Sequence, residues 1–335
     1  LMRIIVPMAG RGSRLRPHTL TIPKPLLPVA GKPIVQRLVE DIAEIYAKPI
    51  DEIVFIIGDF GEEVEQDLLK VAEDLGSTGR IAYQDKPLGT AHAIHCAGDS
   101  LNDEIIIAFA DTLFRADFTL DQSKDGVIWV KQVEDPRAFG VVNLDDDGVI
   151  TDMVEKPEDP QSDLAIIGIY YIKDGANLKK KIEHLLDKDI KSKGEYQLTD
   201  ALDAIRAEGG QLVAGEVSDW MDCGNKDNLL DTTRSILDYD HADGKLKQPA
   251  SLSIENAIII EPCKFGENVT LKNCVVGPYV SIGDNSRVES SVISETILQT
   301  QATVHGRVLT RSIVSNQATA ERLPESINLG DFSAD

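Results

Sequence analysis

A short basic segment near the start of the chain carries residues that could bind phosphate. The segment, residues 10–25, contains no acidic residue, although the chain has 56 acidic and 34 basic residues in all. Its basic side chains are Arg11, Arg14, Arg16 and Lys24. Gly10 and Gly12 begin the segment, and the backbone N–H groups of a glycine-rich turn can approach phosphate oxygens closely. Together these residue types predict a site for a phosphorylated ligand.

The spacing of the glycines excludes two common phosphate-binding motifs. Leu15 stands where the third glycine of a dinucleotide-binding G-x-G-x-x-G motif belongs. No Gly-Lys-Ser or Gly-Lys-Thr follows at the distance that a Walker A loop requires. A solvent-exposed basic loop without a ligand is the alternative interpretation, and the lack of acidic residues in the segment argues against it.

The composition limits the partners of such a site. The formal net charge is −22, so the mean field of the chain repels nucleic acid and anionic membranes. Apolar residues make up 42% of the chain, which indicates a globular protein. The four cysteines lack metal-ligand spacing, and no apolar run approaches the length of a signal-peptide core or a membrane span. We therefore expect a cytoplasmic protein with free buried thiols, in which local positive charge binds the anionic ligand.

The segments around the basic loop have the pattern of an α/β fold. Strands that are apolar throughout, alternating with helical periodicity, are typical of a parallel sheet covered on both faces. We predict early strands at 3–7, 52–57, 80–84 and 104–110, and helices at 33–47, 62–75 and 90–100. Beyond residue 125 we predict strands at 127–133, 141–144, 150–155, 166–172 and 211–217, and helices at 176–186, 198–207 and 226–239. The predicted fold class is α/β, with a Rossmann-like mixed, mostly parallel sheet and helices on both faces.

A different periodicity follows a polar segment at 240–252, which we predict to be a linker. One apolar residue recurs every five or six positions and is often followed by glycine. The recurring residues are Ile260, Phe265, Leu271, Val276, Ile282, Val288, Ile293, Leu298, Val304, Leu309 and Val314. So short a repeat fits a β-helix at 253–320, of three to four coils, in which each strand contributes one inward side chain. A small β-sandwich is the alternative, and 321–335 are predicted to form a C-terminal tail.

The basic segment resembles the signature of the sugar-1-phosphate nucleotidyltransferases, also called nucleotide-sugar pyrophosphorylases. That family has a glycine-rich turn, an arginine, and then Lys-Pro followed by a Leu-Leu-Pro stretch. Here Gly10–Pro17 (GRGSRLRP) precedes Lys24–Pro28 (KPLLP). The resemblance covers about residues 3–239, so it implies a catalytic domain at 1–239, and a trailing left-handed β-helix is common in relatives.

The resemblance implies site residues, position by position. For the nucleotide these are Ala9, Gly10, Gly12, Ser13, Gln84, Pro87, Gly89 and Thr90. For the sugar phosphate they are Gly140, Glu155, Lys156 and Gly168. Asp111, which ends a buried strand, and Asp222 match the family's metal-ligand motifs, and two carboxylates suit Mg²⁺, which also takes phosphate oxygens. Either aspartate alone could instead cap a helix or a turn.

The implied reaction joins a nucleoside triphosphate and a sugar-1-phosphate into a nucleotide sugar and pyrophosphate. Attack on the α-phosphorus is in line, with Arg14, Lys24 and Lys156 neutralising charge on the leaving group, the α-phosphate and the nucleophile. The Gln84 amide can pair with a pyrimidine edge. Gln84 with Gly89–His92 is more similar to thymidylyl- and uridylyl-transferring relatives than to guanylyl-transferring ones, so the resemblance implies dTTP or UTP, with glucose-1-phosphate as the commonest sugar in that part of the family. We expect a homo-oligomer with no nucleic-acid or membrane partner.

Three alternatives stay open on the sequence. The chain could transfer a guanylyl group to mannose-1-phosphate or to another sugar phosphate. It could be a non-catalytic regulatory subunit of the same fold, although the full set of basic and acidic site residues argues against this. The β-helix could support acyl transfer, for which His305 is the only histidine it offers, but it has no extended acceptor loop.

Overall fold

Two compact units make up the part of the chain that the structure, a computed structural model, describes: residues 1–10, 12–46, 48–116 and 120–322. Of these residues, one unit contains those within 1–27 and 33–224, and the other contains 28–32 and 225–322. These units divide the chain at points other than the predicted domain boundaries, which stay a prediction. Arg11, Ala47 and the predicted tail from residue 323 onward lie outside the described residues.

The α/β part of the chain has six helices and thirteen strands within the described ranges. The helices are α1 (Ile34–Tyr46), α2 (Glu62–Asp74), α3 (Thr90–His95), α4 (Gly175–Asp187), α5 (Leu198–Ala207) and α6 (Lys226–Ala242). The strands are β1 (Met2–Pro7), β2 (Pro28–Val29), β3 (Lys32–Pro33), β4 (Glu52–Ile57), β5 (Thr78–Tyr83), β6 (Glu104–Ala108), β7 (Thr112–Arg115), β8 (Gly126–Gln132), β9 (Gly140–Leu144), β10 (Ile150–Glu155), β11 (Leu164–Ile172), β12 (Leu212–Glu216) and β13 (Asp219–Asp222).

A nine-stranded mixed sheet forms the centre of the first unit, as the sequence predicts. Its order is β10-β9-β11-β6-β1-β4-β5, and β8 also pairs with β11 and β12. β1, β4, β5 and β6 are parallel, and β11 joins them to the antiparallel strands. Since the carboxyl ends of parallel neighbours meet at one edge, the loops that follow β1, β4 and β6 begin side by side at Met8, Gly58 and Phe109.

One predicted helix, at 90–100, is shorter than the sequence indicated. α3 ends at His95, and a separate 3₁₀ turn covers Gly98–Ser100. Gly98 has a φ of 60°, a left-handed conformation that an α-helix cannot continue through. The helix predicted at 226–239 is longer, since α6 reaches Ala242 and so extends into the segment predicted as a linker.

A β-helix of three parallel sheets follows. Its strands are β14 (Ser253–Glu255), β15 (Ile258–Ile259), β16 (Cys263–Phe265), β17 (Thr270–Lys272), β18 (Val275–Val276), β19 (Val280–Ile282), β20 (Arg287–Glu289), β21 (Val292–Ser294), β22 (Ile297–Leu298), β23 (Thr303–His305), β24 (Val308–Thr310), β25 (Ile313–Val314) and β26 (Thr319–Glu321). Successive coils pair in register, so that Leu271 stacks on Val288 and Val288 on Val304. These stacked side chains are fully buried, which confirms the predicted inward positions that they occupy.

Two details of the predicted repeat are wrong. Ile260 is 44% exposed, because the two-residue strand β15 ends at Ile259, whose partner in the ladder is the buried Val276. The first sheet also has five strands (β14, β17, β20, β23 and β26), whereas three to four coils would give it three or four. The predicted pattern starts at Ile260, whereas the first strand of the β-helix, β14, already places Ile254 opposite Leu271.

All four cysteines carry free thiols; Cys223, Cys263 and Cys274 are buried, and Cys96 is half-buried. Among the described helices, none combines the length and the apolar character needed to cross a membrane.

Candidate active site

Two adjoining cavities open at the edge of the sheet where β1, β4 and β6 end. We call them the Gln84 cavity, of about 710 Å³, and the Lys156 cavity, of about 1100 Å³. The residues that line both are Gly10, Gly12, Lys24, Thr90, Phe109 and Asp111. Ligands of open α/β sheets bind at this edge, and each cavity is large enough for a small organic molecule.

The glycine-rich loop after β1 forms part of the shared wall. Gly12 has a φ of 66°, and a Cβ atom there would lie 2.7 Å from the Cβ of Lys24. Any side chain at this position would therefore strain the backbone and displace Lys24. The Thr19 hydroxyl donates a hydrogen bond of 2.8 Å to the Gly12 carbonyl, which ties the loop to the basic segment behind it. Arg16 of that segment lines neither cavity.

Lys24 is a buried cation beside an exposed carboxylate. Its side chain is 11% exposed, and its Nζ lies 3.8 Å from Oδ2 of Asp111, whose side chain is 63% exposed. A buried ammonium group is costly unless an anion compensates for its lost hydration. The site therefore holds positive charge against the cavity wall, where it can meet a ligand anion, while Asp111 extends into the opening.

A two-stranded antiparallel ladder sets the two metal-ligand candidates side by side. Asp222, at the end of β13, pairs with Thr112, at the start of β7. The next bond along the ladder runs from the Cys223 N–H to the Asp111 carbonyl, at 3.1 Å. The buried Thr112 hydroxyl donates to the Met221 carbonyl and accepts from the Trp220 indole N–H, so it binds the strands together through side chains as well.

Both carboxylates line the Lys156 cavity, and their donor set suits Mg²⁺. Asp222 Oδ1 accepts a 2.8 Å hydrogen bond from the Gly224 N–H, which orients the carboxylate. Over the described ranges no group of three or more His, Cys, Asp or Glu side chains could hold a metal ion. A Mg²⁺ ion at this place would therefore take two protein carboxylates and complete its shell with ligand or water oxygens, as magnesium commonly does.

The loop after β5 is held closely against the start of α5. Gly89 has a φ of 121°, and a Cβ atom there would lie 2.4 Å from the Tyr196 carbonyl oxygen. Tyr196 donates its N–H to the Leu88 carbonyl and accepts from the Ala91 N–H, at 2.9 Å in both cases. Only glycine fits between these two bonds, so this loop presents a fixed stretch of backbone to the Gln84 cavity.

Thr90 has a structural contact that its predicted role did not include. Its hydroxyl donates to Gln197 Oε1 and accepts from the Leu198 N–H, at 2.8 Å. The hydroxyl thereby caps α5 from a segment distant in the sequence. No signal in the sequence near α5 identifies Thr90 as its cap.

The far side of the Lys156 cavity carries an acidic and a basic side chain. Lys156 Nζ lies 3.7 Å from Glu155 Oε1, and a Cβ atom on Gly140 would lie 3.0 Å from Glu155 Oε2. Burial raises the pKa of Glu155, an effect that Lys156 opposes and Asp200 reinforces. Gly168, with a φ of 86°, accepts the Phe109 N–H at 3.0 Å and so fixes β11 against the loop after β6.

Aromatic side chains form part of the wall of the Lys156 cavity. The ring centroids of Phe139 and Trp220 lie 5.1 Å apart in an edge-to-face arrangement, and those of Phe109 and Tyr170 lie 6.4 Å apart. Each pair joins two segments of the wall, and such pairs stabilise by about 1 kcal/mol beyond their burial. None of these four side chains is among the site residues that the sequence predicts.

Every site residue predicted from the sequence lines one of the two cavities. Those that line only the Gln84 cavity are Ala9, Gln84, Pro87 and Gly89. Those that line only the Lys156 cavity are Ser13, Arg14, Gly140, Glu155, Lys156, Gly168 and Asp222. The fold brings them together from across the first unit, and the role of each stays a prediction.

Comparison with protein families and curated relatives identifies the family of the chain. Residues 4–239 match the family model described as nucleotidyl transferase. A low-salt glycan biosynthesis nucleotidyltransferase, Agl11, of Haloferax volcanii is 31% identical over 92% of this chain and 91% of its own length. A glucose-1-phosphate thymidylyltransferase of Streptomyces antibioticus is 28% identical over 99% of this chain and 98% of its own length.

A solved structure shares the fold. A UDP-glucose pyrophosphorylase complexed with UDP-glucose matches with a TM-score of 0.57 and 25% identity, over 71% of this chain and 99% of that one.

The close approach of Gly12 to Lys24 can be tested by adding a methyl group at Gly12. Gly12→Ala should weaken binding of inorganic triphosphate at least tenfold, because the new methyl group forces Lys24 away from the shared wall. Isothermal titration calorimetry measures this, and Gly209→Ala is the control, since Gly209 also has a positive φ but no atom within 4 Å of its Cβ position. Equal affinities for the two variants would contradict the role of the contact.

Proposed function

The chain belongs to the nucleotidyl transferase family and is a sugar-1-phosphate nucleotidyltransferase, and we propose that its nucleotide is dTTP or UTP and its sugar glucose-1-phosphate. The observation that carries the proposal is the pair of adjoining cavities. One offers an amide and glycine backbone, and the other offers Glu155 and Lys156. The thymidylyltransferase and UDP-glucose names of two relatives support the same choice of substrates.

The shared wall is where the two substrates would react. A nucleotide in the Gln84 cavity would place its phosphates along the glycine-rich loop towards Lys24. A sugar phosphate in the Lys156 cavity would place its phosphate near Lys156 and its hydroxyls near the Glu155 carboxyl group. This arrangement would bring the nucleophile and the α-phosphorus together, and such positioning alone can remove many kcal/mol from an activation barrier.

The proposed chemistry is a single in-line displacement. A non-bridging oxygen of the sugar phosphate forms a bond to the α-phosphorus, while the bond from the α-phosphorus to the β-phosphate oxygen breaks and pyrophosphate leaves. The second pKa of a phosphomonoester is about 6, so the attacking oxygen is ionised near neutral pH without a general base. The site therefore requires positioning and charge neutralisation rather than proton transfer.

Charge neutralisation is assigned to three basic residues. The substrates together carry about six negative charges at neutral pH. We propose that Lys24 contacts the α-phosphate, Arg14 the leaving pyrophosphate and Lys156 the incoming phosphate. Asp111 and Asp222 would hold Mg²⁺, which when bound supplies additional positive charge to the phosphates.

The assignment of Asp111 gives a prediction for turnover. Asp111→Asn should lower kcat at least about 100-fold, equivalent to about 2.7 kcal/mol, because the amide no longer supplies a charged ligand at the phosphates. Steady-state kinetics with saturating Mg²⁺ measures the effect. Asp99→Asn removes a fully exposed carboxylate that lines neither cavity, and it should leave kcat unchanged. Wild-type turnover in Asp111→Asn would remove this residue from the metal site.

The choice of substrates is tested with a panel. The wild-type enzyme is assayed with dTTP, UTP, CTP, GTP and ATP against glucose-1-phosphate, mannose-1-phosphate and N-acetylglucosamine-1-phosphate, with pyrophosphate release as the readout. We expect the highest kcat/KM for dTTP or UTP with glucose-1-phosphate. A preference for GTP with mannose-1-phosphate would overturn the proposed substrates and leave the family assignment intact.

We also propose that the chain forms a homo-oligomer through an apolar ladder on the β-helix. Ile258, Val275, Val292 and Val308 stack in register on the outside of one sheet, and Val308 is 83% exposed. A contiguous exposed apolar patch of this kind is typical of a protein interface. A second copy presents the same ladder, so the two apolar surfaces would cover each other in a symmetric contact.

Val308→Glu should reduce the molar mass measured by light scattering to that of one chain, since an unpaired carboxylate would be buried in the interface. Thr319→Glu, an exposed position on another sheet of the β-helix, should leave the mass unchanged. A monomeric wild-type chain would contradict the proposal.

A further inference from the structure

The side-chain amide of Gln84 is held by two acceptors. Its Nε2 lies 3.4 Å from the Gly89 carbonyl oxygen and 3.1 Å from Nδ1 of His92. Gly89 precedes α3, and His92 lies in its first turn, so both acceptors belong to the segment that the bonds to Tyr196 hold in place. The amide therefore has a rigid support on one side.

These two contacts determine which way the amide faces. A carbonyl oxygen can only accept, so the atom opposite Gly89 has to be the NH₂ group of Gln84. The same NH₂ group can only donate, so Nδ1 of His92 has to be the unprotonated ring nitrogen. Partial burial lowers the pKa of His92, and the nearby His95 and Lys86 lower it further, which favours the neutral ring that the contact with Gln84 requires.

The remaining polar atom of the amide is its oxygen. Gln84 lines the Gln84 cavity, and within the described part of the chain its Oε1 accepts no hydrogen bond. With both amide hydrogens directed to Gly89 and His92, the side chain can offer a ligand only an acceptor. A ligand group that pairs with it must be a donor.

This acceptor distinguishes two kinds of pyrimidine base by the atom at position N3. Uracil and thymine carry an N3–H donor on their pairing edge, whereas cytosine has an unprotonated N3, which is an acceptor. An amide oxygen pairs with the first and repels the second. If the amide were rotated by 180°, its NH₂ group would pair with cytosine instead.

We propose that His92 is a positioning residue that holds the Gln84 amide with its oxygen towards the base, and that this orientation selects uracil or thymine over cytosine. The inference rests on the proposed function, in which the Gln84 cavity binds the base. His92 need not touch the nucleotide; it acts through Gln84. Without it, a single contact of 3.4 Å to Gly89 opposes rotation of the amide.

The test compares discrimination between bases in matched variants. The measured quantity is the ratio of kcat/KM for UTP to that for CTP, and of dTTP to dCTP, in the full-length enzyme. His92→Leu removes the acceptor, and the ratio should fall about tenfold, the size of one hydrogen bond in a cavity. His92→Asn keeps an acceptor in the place of Nδ1, since Oδ1 is the same number of bonds from the backbone, and should keep the ratio.

Two more variants complete the design. His95→Leu changes the other histidine of α3, which has no contact with Gln84, and should leave the ratio unchanged. His92→Gln places its acceptor one bond further out and should lower the ratio as His92→Leu does. It therefore carries the test if His92→Leu fails to fold, because glutamine keeps a polar side chain at this half-buried position.

The outcomes separate this inference from the proposed function. A wild-type preference for a purine nucleotide or for CTP would overturn the proposed function itself. A wild-type preference for UTP or dTTP that His92→Leu and His92→Gln leave intact would overturn the role of His92 alone. A loss in His92→Asn as large as that in His92→Leu would also overturn it, since the acceptor would then not be what matters.

Discussion

One backbone hydrogen bond, from the Cys223 N–H to the Asp111 carbonyl, joins the parts of the chain on which the site depends. It extends the ladder between β7 and β13, so that two carboxylates distant in the sequence stand at neighbouring ends of paired strands. Thr112 and Trp220 reinforce the ladder through their side chains. Because the ladder is fixed by the fold, the carboxylates are in place before any ligand arrives, and little of the binding energy is spent on ordering them.

The second constraint is electrostatic. A chain of net charge −22 must bring together substrates that are themselves strongly anionic. In the proposed function this charge is met by cations from a stretch of sequence that contains no acidic residue. Arg14 and Lys24 come from that segment, and the buried Lys24 lies 3.8 Å from the exposed Asp111 carboxylate, which would bind the metal ion. Close charges in a partly desolvated cleft act more strongly than distant charges screened by salt. The net charge therefore bears on macromolecular partners far more than on the substrates.

Most of the fold could be predicted from the sequence. So could the set of site residues that line the two cavities, because the motifs that contain them lie next to strands. Asp111 follows an apolar strand, so the edge of the sheet places it, and the inward positions of the β-helix follow from a fixed repeat. Contacts between distant segments could not be predicted. Nothing local indicates that Thr90 caps α5 or that His92 supports Gln84, because each depends on how loops pack. The inward position predicted for Ile260 was wrong because β15 has only two residues, so a shift of one residue exposes the side chain.

The central claim is a direct displacement at the α-phosphorus by the sugar phosphate, and its stereochemistry tests this most directly. The enzyme is given a nucleoside 5′-(α-thio)triphosphate of one known configuration at phosphorus, with the sugar-1-phosphate, and the nucleotide sugar is analysed by ³¹P NMR. A single in-line attack predicts inversion of configuration at the α-phosphorus. Retention would require two successive displacements through a nucleotidylated side chain, and it would contradict the account of how this site works.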